Sequence, residues 1–324
     1  VHVLRESEGG GGTVLFKVHH ALGDGIAFFE ALGPIMTDAH GKPLDLSRFF
    51  NPQPRGIPPA KSLPAAAVRC VTGAVDVARC VVKSLVSIQL QKDSSIRFKR
   101  WSAQPAFDNV TVYLPTHKLE TIKRIKNAAG NGTAINDVEF ALNAGMIRRF
   151  TAAHDPTVDL ARLSVRCMTP LALPEETCEE TKYSTVLRNR CAVPVVDMPV
   201  DKATPRQRLE AAHATWDRVK NSAMVPTGLA LQAFFGKVLP FAAMRDAVVK
   251  MYTRVTIVFS NVPGPTEPTY VAGCQITAMH VVAGNVLPIA SLVSLNGEVH
   301  QCVSAGGPGC GPPRGAAGDV AGRA

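Results

Sequence analysis

In TVLFKVHH, residues 13–20, apolar side chains recur with a period of two at Val14, Phe16 and Val18. Val14, Phe16, Val18 and His20 fall on one face and Leu15, Lys17 and His19 on the other, which predicts a strand. Asp24 then stands just before an apolar stretch, IAFFEAL, whose pattern predicts a helix with Asp24 as its N-cap. NVTVYLP, residues 109–115, alternates as a second strand. Leu119, Ile122 and Ile125 mark a helix stopped by Gly130, and a further helix is expected from about Asn136–Asp137 to about Phe150. LSVRCMTPL (163–171) and VLRNRCAVPVV read as strands. Thr204 and Pro205 open an amphipathic helix carrying Leu209, Ala212, Trp216 and Val219 on one stripe. RVTIVFSNVPGP reads as a buried strand entering a rigid turn, and residues 270–303 as mostly strand. Strands and helices mix without internal repeats, so the expected class is α/β or α+β.

Residues 37–62 break the pattern with proline, glycine and polar residues, including NPQPRGIPPAK, and read as a linker or crossover. Residues 63–91 have the length of a bilayer span, but Arg69, Asp76, Arg79 and Lys83 interrupt it. An amphipathic helix of the fold and an interfacial membrane helix both stay open there. Residues 94–109 form a basic loop with Arg97, Lys99 and Arg100.

The chain has 324 residues, a net charge of +9, and hydrophobic and charged shares of 46% and 19%. That is a globular composition sized for about two domains. Its eight cysteines are scattered without a CxxC pair, which favours free thiols over a zinc site or a disulfide framework. The positive balance suits phosphate-bearing ligands or an anionic lipid surface. No motif supports nucleic acid as a partner. The start at Val1 and the Gly/Ala/Pro-rich end lead us to expect a fragment of a larger protein with a disordered or non-native tail over 304–324.

HHALGDG, residues 19–25, concentrates the candidate chemistry. An imidazole at a strand end, before a turn and a helix start, is placed for acid–base work near neutral pH. Asp24 can cap the helix or pin a cation, and Gly25 permits a close backbone turn. Two adjacent histidines on opposite strand faces converge poorly on a metal, so none is expected.

HHALGDG resembles the His-His-x-x-x-Asp-Gly motif of the CoA-dependent acyltransferase superfamily. Three later stretches resemble the wax ester synthase/diacylglycerol acyltransferase (WS/DGAT) family in particular. They are GTAINDVEFALNAGMIRRF with its Asn136–Asp137 pair, NRCAVPVVDMPVDKATPRQRLEAAHATWDRVK, and SNVPGP with Asn261, Pro263 and Gly264. The resemblance implies two acyltransferase-like α/β halves, mixed sheets flanked by helices, with a tunnel between them and most of the N-terminal half missing here. The expected division is residues 1–36 as the end of the first half, 37–108 as linker with an amphipathic helix, and 109–303 as the C-terminal half.

The resemblance further implies an O-acyltransferase. His20 would be the general base, His19 a supporting histidine and Asp24 a structural member of the motif. Acyl-CoA would be a co-substrate rather than a cofactor, and a long-chain alcohol or diacylglycerol the acceptor. It implies an intracellular place at a membrane or lipid-droplet surface. For Asn136 the open readings are an oxyanion donor and a helix N-cap; for Asn261, a tunnel-facing group and a turn former. A condensation-type acyltransferase and an inactive lipid-binding fragment are the competing functions.

Overall fold

The computed structural model describes residues 1–5, 11–44, 73–82, 90–99, 109–172, 189, 191–283 and 287–306. In chain order these form β1 (His2–Arg5), β2 (Gly12–Leu15), α1 (Gly25–Leu32), β3 (Met36–Thr37) and α2 (residues 73–82). Next come β4 (Asn109–Tyr113), β5 (His117–Lys118), α3 (Leu119–Ala129), α4 (Ile135–His154), β6 (Val165–Met168) and β7 (Leu171–Ala172). Then follow β8 (Cys191–Ala192), β9 (Val195–Met198), α5 (Pro205–Asn221), α6 (Met224–Val238) and α7 (Phe241–Tyr252). The last are β10 (Ile257–Val262), β11 (Tyr270–Val271), β12 (Cys274–Gln275), β13 (Ile289–Leu295) and β14 (Glu298–Gly306).

The central sheet runs β4-β14-β13-β10-β6-β9, with β5 on the edge of β14. β10 lies parallel to both β13 and β6, and the outer pairs are antiparallel, so the sheet is mixed. Successive side chains of β10 and β13 go to opposite faces. Ile257, Phe259, Ala290 and Leu292 enter the main core beneath α4 and α5. There Phe140 of α4 meets Trp216 at 5.2 Å and Phe259 at 5.4 Å between ring centres, both edge-on, a favourable aromatic geometry. Val262 and Val293 face the other way, where Phe29 of α1 and Met36 complete a second cluster. Helices therefore cover both faces, the mixed α/β architecture expected.

The caps explain several boundaries. Thr204 accepts from Gln207 N while the Gln207 side chain returns to Thr204 N, so α5 starts where the Thr-Pro signal placed it. α3 ends at Gly130, whose φ of 67° suits a residue without Cβ. A buried ion pair fastens residues 90–99 to the sheet: Arg166 Nε donates to Asp93 Oδ1 at 2.6 Å, and the Thr256 hydroxyl also donates to Asp93.

Four expectations need correction. The strand foreseen over 13–20 ends at Leu15, because β2 pairs only with β1 and gains no further sheet neighbour. The helix foreseen from Asn136 to about Phe150 runs from Ile135 to His154. Within 270–303, residues 276–283 are not strand. VLRNRCAVPVV supplies two short strands, β8 and β9, rather than one. Of the helix foreseen at 63–91 the described part is helical over 73–82. The linker motif at 51–61, Arg100 and the tail beyond 306 lie outside the described residues.

Candidate active site

The sequence HHALGDG folds as a turn, not as a strand end. Leu22 N donates to His19 O at 3.0 Å, and Ala21 N donates to His19 Nδ1 at 3.2 Å, fixing that ring as an acceptor. Asn189 reaches from far along the chain to donate Nδ2 to His20 O at 2.8 Å, so the backbone beneath the second histidine is held while its ring stays exposed. Among the described residues the His20 ring makes no hydrogen bond, leaving it open to a reactant.

Asp24 is buried and caps α1: its Oδ1 accepts from Ala27 N at 3.0 Å. Capping is one of the two roles that the residue pattern leaves open for Asp24. Gly25, in contrast, is the first residue of α1 and takes no left-handed conformation; a Cβ there would make ordinary contact with Val262 Cγ2 at 3.9 Å. The close turn that a glycine permits is thus not formed at Gly25, which is helical. The same closeness has a positional consequence: the motif abuts the residue that follows Asn261.

Around the C-terminal end of β10 the later motif residues assemble. Asn261 Nδ2 donates to Asn136 Oδ1 at 3.3 Å, joining the strand end to the first turn of α4. This engages the Asn136 carbonyl, and among the described residues its amide group has no acceptor. Asn136 is not the N-cap; Ala134 is, and Asp137 does the capping by reaching back to accept from Ala134 N at 2.9 Å. Gly264 is required sterically, because a Cβ there would collide with the Ser294 carbonyl oxygen and press on Phe29. Its N–H donates to Ser294 Oγ at 2.9 Å, locking SNVPGP to β13. Pro263 is exposed in the turn. Open α/β sheets hold ligands beyond the carboxyl ends of their parallel strands, and this end of β10 is such a place.

Several site features were not foreseen. His213 Nδ1 lies 2.8 Å from Asp137 Oδ2, and Asp137 is fully buried. Glu139, also buried, takes His117 Nε2 at 2.9 Å, and Asn143 of the same helix face receives Gln301 Nε2 at 2.7 Å. α4 thus carries a polar row at half-buried Asn136 and buried Glu139 and Asn143, spaced at i, i+3 and i+7. The spacing was visible in the sequence; the partners, far away along the chain, were not. Burial raises the thiol pKa of Cys191, and Asp24 adds to it, so this cysteine beside the motif is no thiolate nucleophile at neutral pH. Among the described residues no group of three or more His, Cys, Asp and Glu is arranged to hold a metal ion.

The architecture is a mixed α/β sheet covered on both faces, with the HHALGDG turn beside the end of β10. The solved wax ester synthase/diacylglycerol acyltransferase from Marinobacter aquaeolei superposes with a TM-score of 0.51 at 16% identity, covering 93% of this chain and 63% of that one. Residues 187–304 match the WS/DGAT C-terminal domain. A putative diacylglycerol O-acyltransferase of Mycobacterium tuberculosis is 28% identical over 310 residues, covering 89% of this chain and 58% of the relative. A probable diacylglycerol O-acyltransferase of the same species is 30% identical over 179 residues, 55% of this chain and 34% of the relative. The chain is thus similar to WS/DGAT proteins over most of its length, and it spans 58% of the length of the first of these relatives.

Proposed function

We propose that this chain carries the catalytic motif of an O-acyltransferase that moves a fatty acyl group from acyl-CoA to a long-chain alcohol or diacylglycerol. The observation that carries the reading is the exposed His20 ring on a turn whose backbone is pinned by Asn189 and whose helix is capped by buried Asp24. His20 takes the acceptor's hydroxyl proton. The acceptor oxygen attacks the thioester carbonyl, forming a C–O bond and a tetrahedral oxyanion, which the Asn136 amide stabilises. The C–S bond then breaks, and the CoA sulfur leaves with the proton from His20. No acyl-enzyme forms, and no bound cofactor enters the scheme.

Asp24 acts by ordering the turn, since its carboxylate is engaged with the α1 backbone. The substrates are lipids, so the chemistry belongs at an intracellular membrane or lipid-droplet surface. The names of the mycobacterial relatives support diacylglycerol as an acceptor, and the name of the Marinobacter protein supports both acceptors. The test offers labelled palmitoyl-CoA together with hexadecanol, diolein and an aminoacyl carrier protein. Labelled wax ester or triacylglycerol, with stoichiometric CoA release, is expected; amide product alone would replace this reading with a condensation-type reaction.

A further inference from the structure

Among the described residues, the core contacts of the helical hairpin α6–α7 lie at its feet. Met224 and Val225 pack on the main core, and Met251 and Tyr252 on the cluster around Val255 and Leu287. Between these feet the hairpin stands out. α7 has no buried residue, and α6 buries only Thr227. Its tip is nonetheless apolar: Phe241 is 83% exposed, Val238 59% and Phe234 57%, with Leu239 exposed between them. Phe234 and Val238 are four residues apart on α6 and so form one stripe. Pro240 separates the helices and carries the chain into Phe241. Four large apolar side chains within eight residues at a protruding tip are not scattered surface residues, and such a patch marks an interaction site.

The charges choose the occupant. The hairpin carries Lys237, Arg245 and Lys250 against a single acid, Asp246, which Arg245 pairs at 2.9 Å. Lys237 and Lys250 have no ion-pair partner among the described residues. A second copy of this +9 chain would bring cation against cation at the same face. An anionic lipid surface gives the apolar tip a hydrocarbon boundary and Lys237, next to the tip, its counter-charge. The geometry forbids spanning: at about 1.5 Å per residue, α6 reaches roughly 22 Å against a hydrocarbon core of about 30 Å. No helix among the described residues is long and apolar enough to cross a membrane.

We infer that the α6–α7 tip inserts into an anionic lipid surface, with Phe234, Val238, Leu239 and Phe241 at the acyl-chain boundary and Lys237, beside them on α6, at the headgroups. This deepens the lipid-surface part of the proposed function and rests on that reading only there. It places attachment on a segment other than residues 63–91 and the basic loop.

The test is sedimentation of the whole chain with sucrose-loaded vesicles of phosphatidylcholine alone or of equimolar phosphatidylcholine and phosphatidylglycerol, with no acyl substrate present. The wild-type chain is expected to pellet with the mixed vesicles and to release as salt rises. The double variant F234S/F241S should lose binding by roughly tenfold or more, while F234L/F241L keeps it. K237E should weaken binding to the mixed vesicles. Circular dichroism melts should stay unchanged, because all three positions are exposed. Failure of the wild-type chain to bind, or equal binding by F234S/F241S, overturns the inference. A dimer in analytical ultracentrifugation that F234S/F241S abolishes would also overturn it, assigning the face to self-association. Since no acyl donor is present, a negative result here leaves acyl transfer standing, and an inactive enzyme leaves the binding result standing.

Discussion

Asp137 and His213 face each other at 2.8 Å across α4 and α5, and the same Asp137 oxygen caps the first turn of α4. One buried carboxylate therefore sets both the start of α4 and its packing on α5. Asn136, the candidate oxyanion donor, is the residue before it. Removing the imidazole leaves a buried anion with one partner fewer, which costs several kcal/mol in a dry site and less here because His213 is partly exposed. H213A is expected to lower unfolding free energy by about 1–3 kcal/mol. D137N should cost at least as much. Urea unfolding followed by circular dichroism measures both.

Two glycines give opposite expectations. A methyl at Gly264 meets the Ser294 carbonyl, which is backbone and cannot turn aside. G264A should destabilise by about 2–3 kcal/mol or more. Gly228 lies inside α6 with open space around its Cα, so G228A should be neutral or stabilise by up to about 1 kcal/mol. Thermal melts of the two variants, run side by side, check the contrast.

The His280–His300 pair predicts acid sensitivity. The rings stand 5.6 Å apart, edge to face. Burial holds the pKa of each below the ordinary imidazole value; His300 lowers His280 further, while Glu298 raises and His117 lowers His300. His280 Nδ1 and His300 Nε2 are buried with no hydrogen-bond partner among the described residues. The folded chain thus binds fewer protons than the unfolded chain just below the ordinary value of 6.5. Stability is full above that value and falls as pH drops through it towards the depressed folded values. Melting temperature should fall from about pH 7.5 to about pH 5.5. H300Q should flatten that slope.

The sequence revealed this architecture unevenly, for physical reasons. α5 was legible because Thr204, Pro205 and the stripe through Trp216 are local signals. β10 was legible because its apolar run ends in a proline-glycine turn. α6 and α7 escaped notice: their apolar residues show no clear one-sided period, and Pro226, Gly228, Gly236 and Pro240 read as breakers. The strand assigned to His20 was too long because alternation reports side-chain pattern, whereas extent depends on a neighbouring strand, and β2 has one only as far as Leu15. In the site, the residue types were legible but their pairings were not. His213 and Asp137 are 76 positions apart, and Asn261 and Asn136 are 125 apart.

The Asn261–Asn136 bond predicts coupled effects on turnover. If Asn261 acts by holding the Asn136 amide, N136A should lower kcat by about 10–100-fold with KM little changed. N261A should lower it by a smaller factor, and the double variant should be no worse than N136A alone. Additive losses in a steady-state assay with acyl-CoA would show that the two asparagines act separately.

The central claim is that His20 is the base of an acyl transfer. Its ring is exposed and unbonded among the described residues, so H20A should leave the far-ultraviolet circular dichroism spectrum and the melt unchanged. Loss of a general base should then lower ester formation from acyl-CoA by roughly 10²–10⁴-fold. The decisive measurement is the turnover of wild-type and H20A chains with palmitoyl-CoA and diolein or hexadecanol under identical conditions. A fall of that size in a folded H20A chain is the predicted result, and wild-type turnover by H20A would contradict the account.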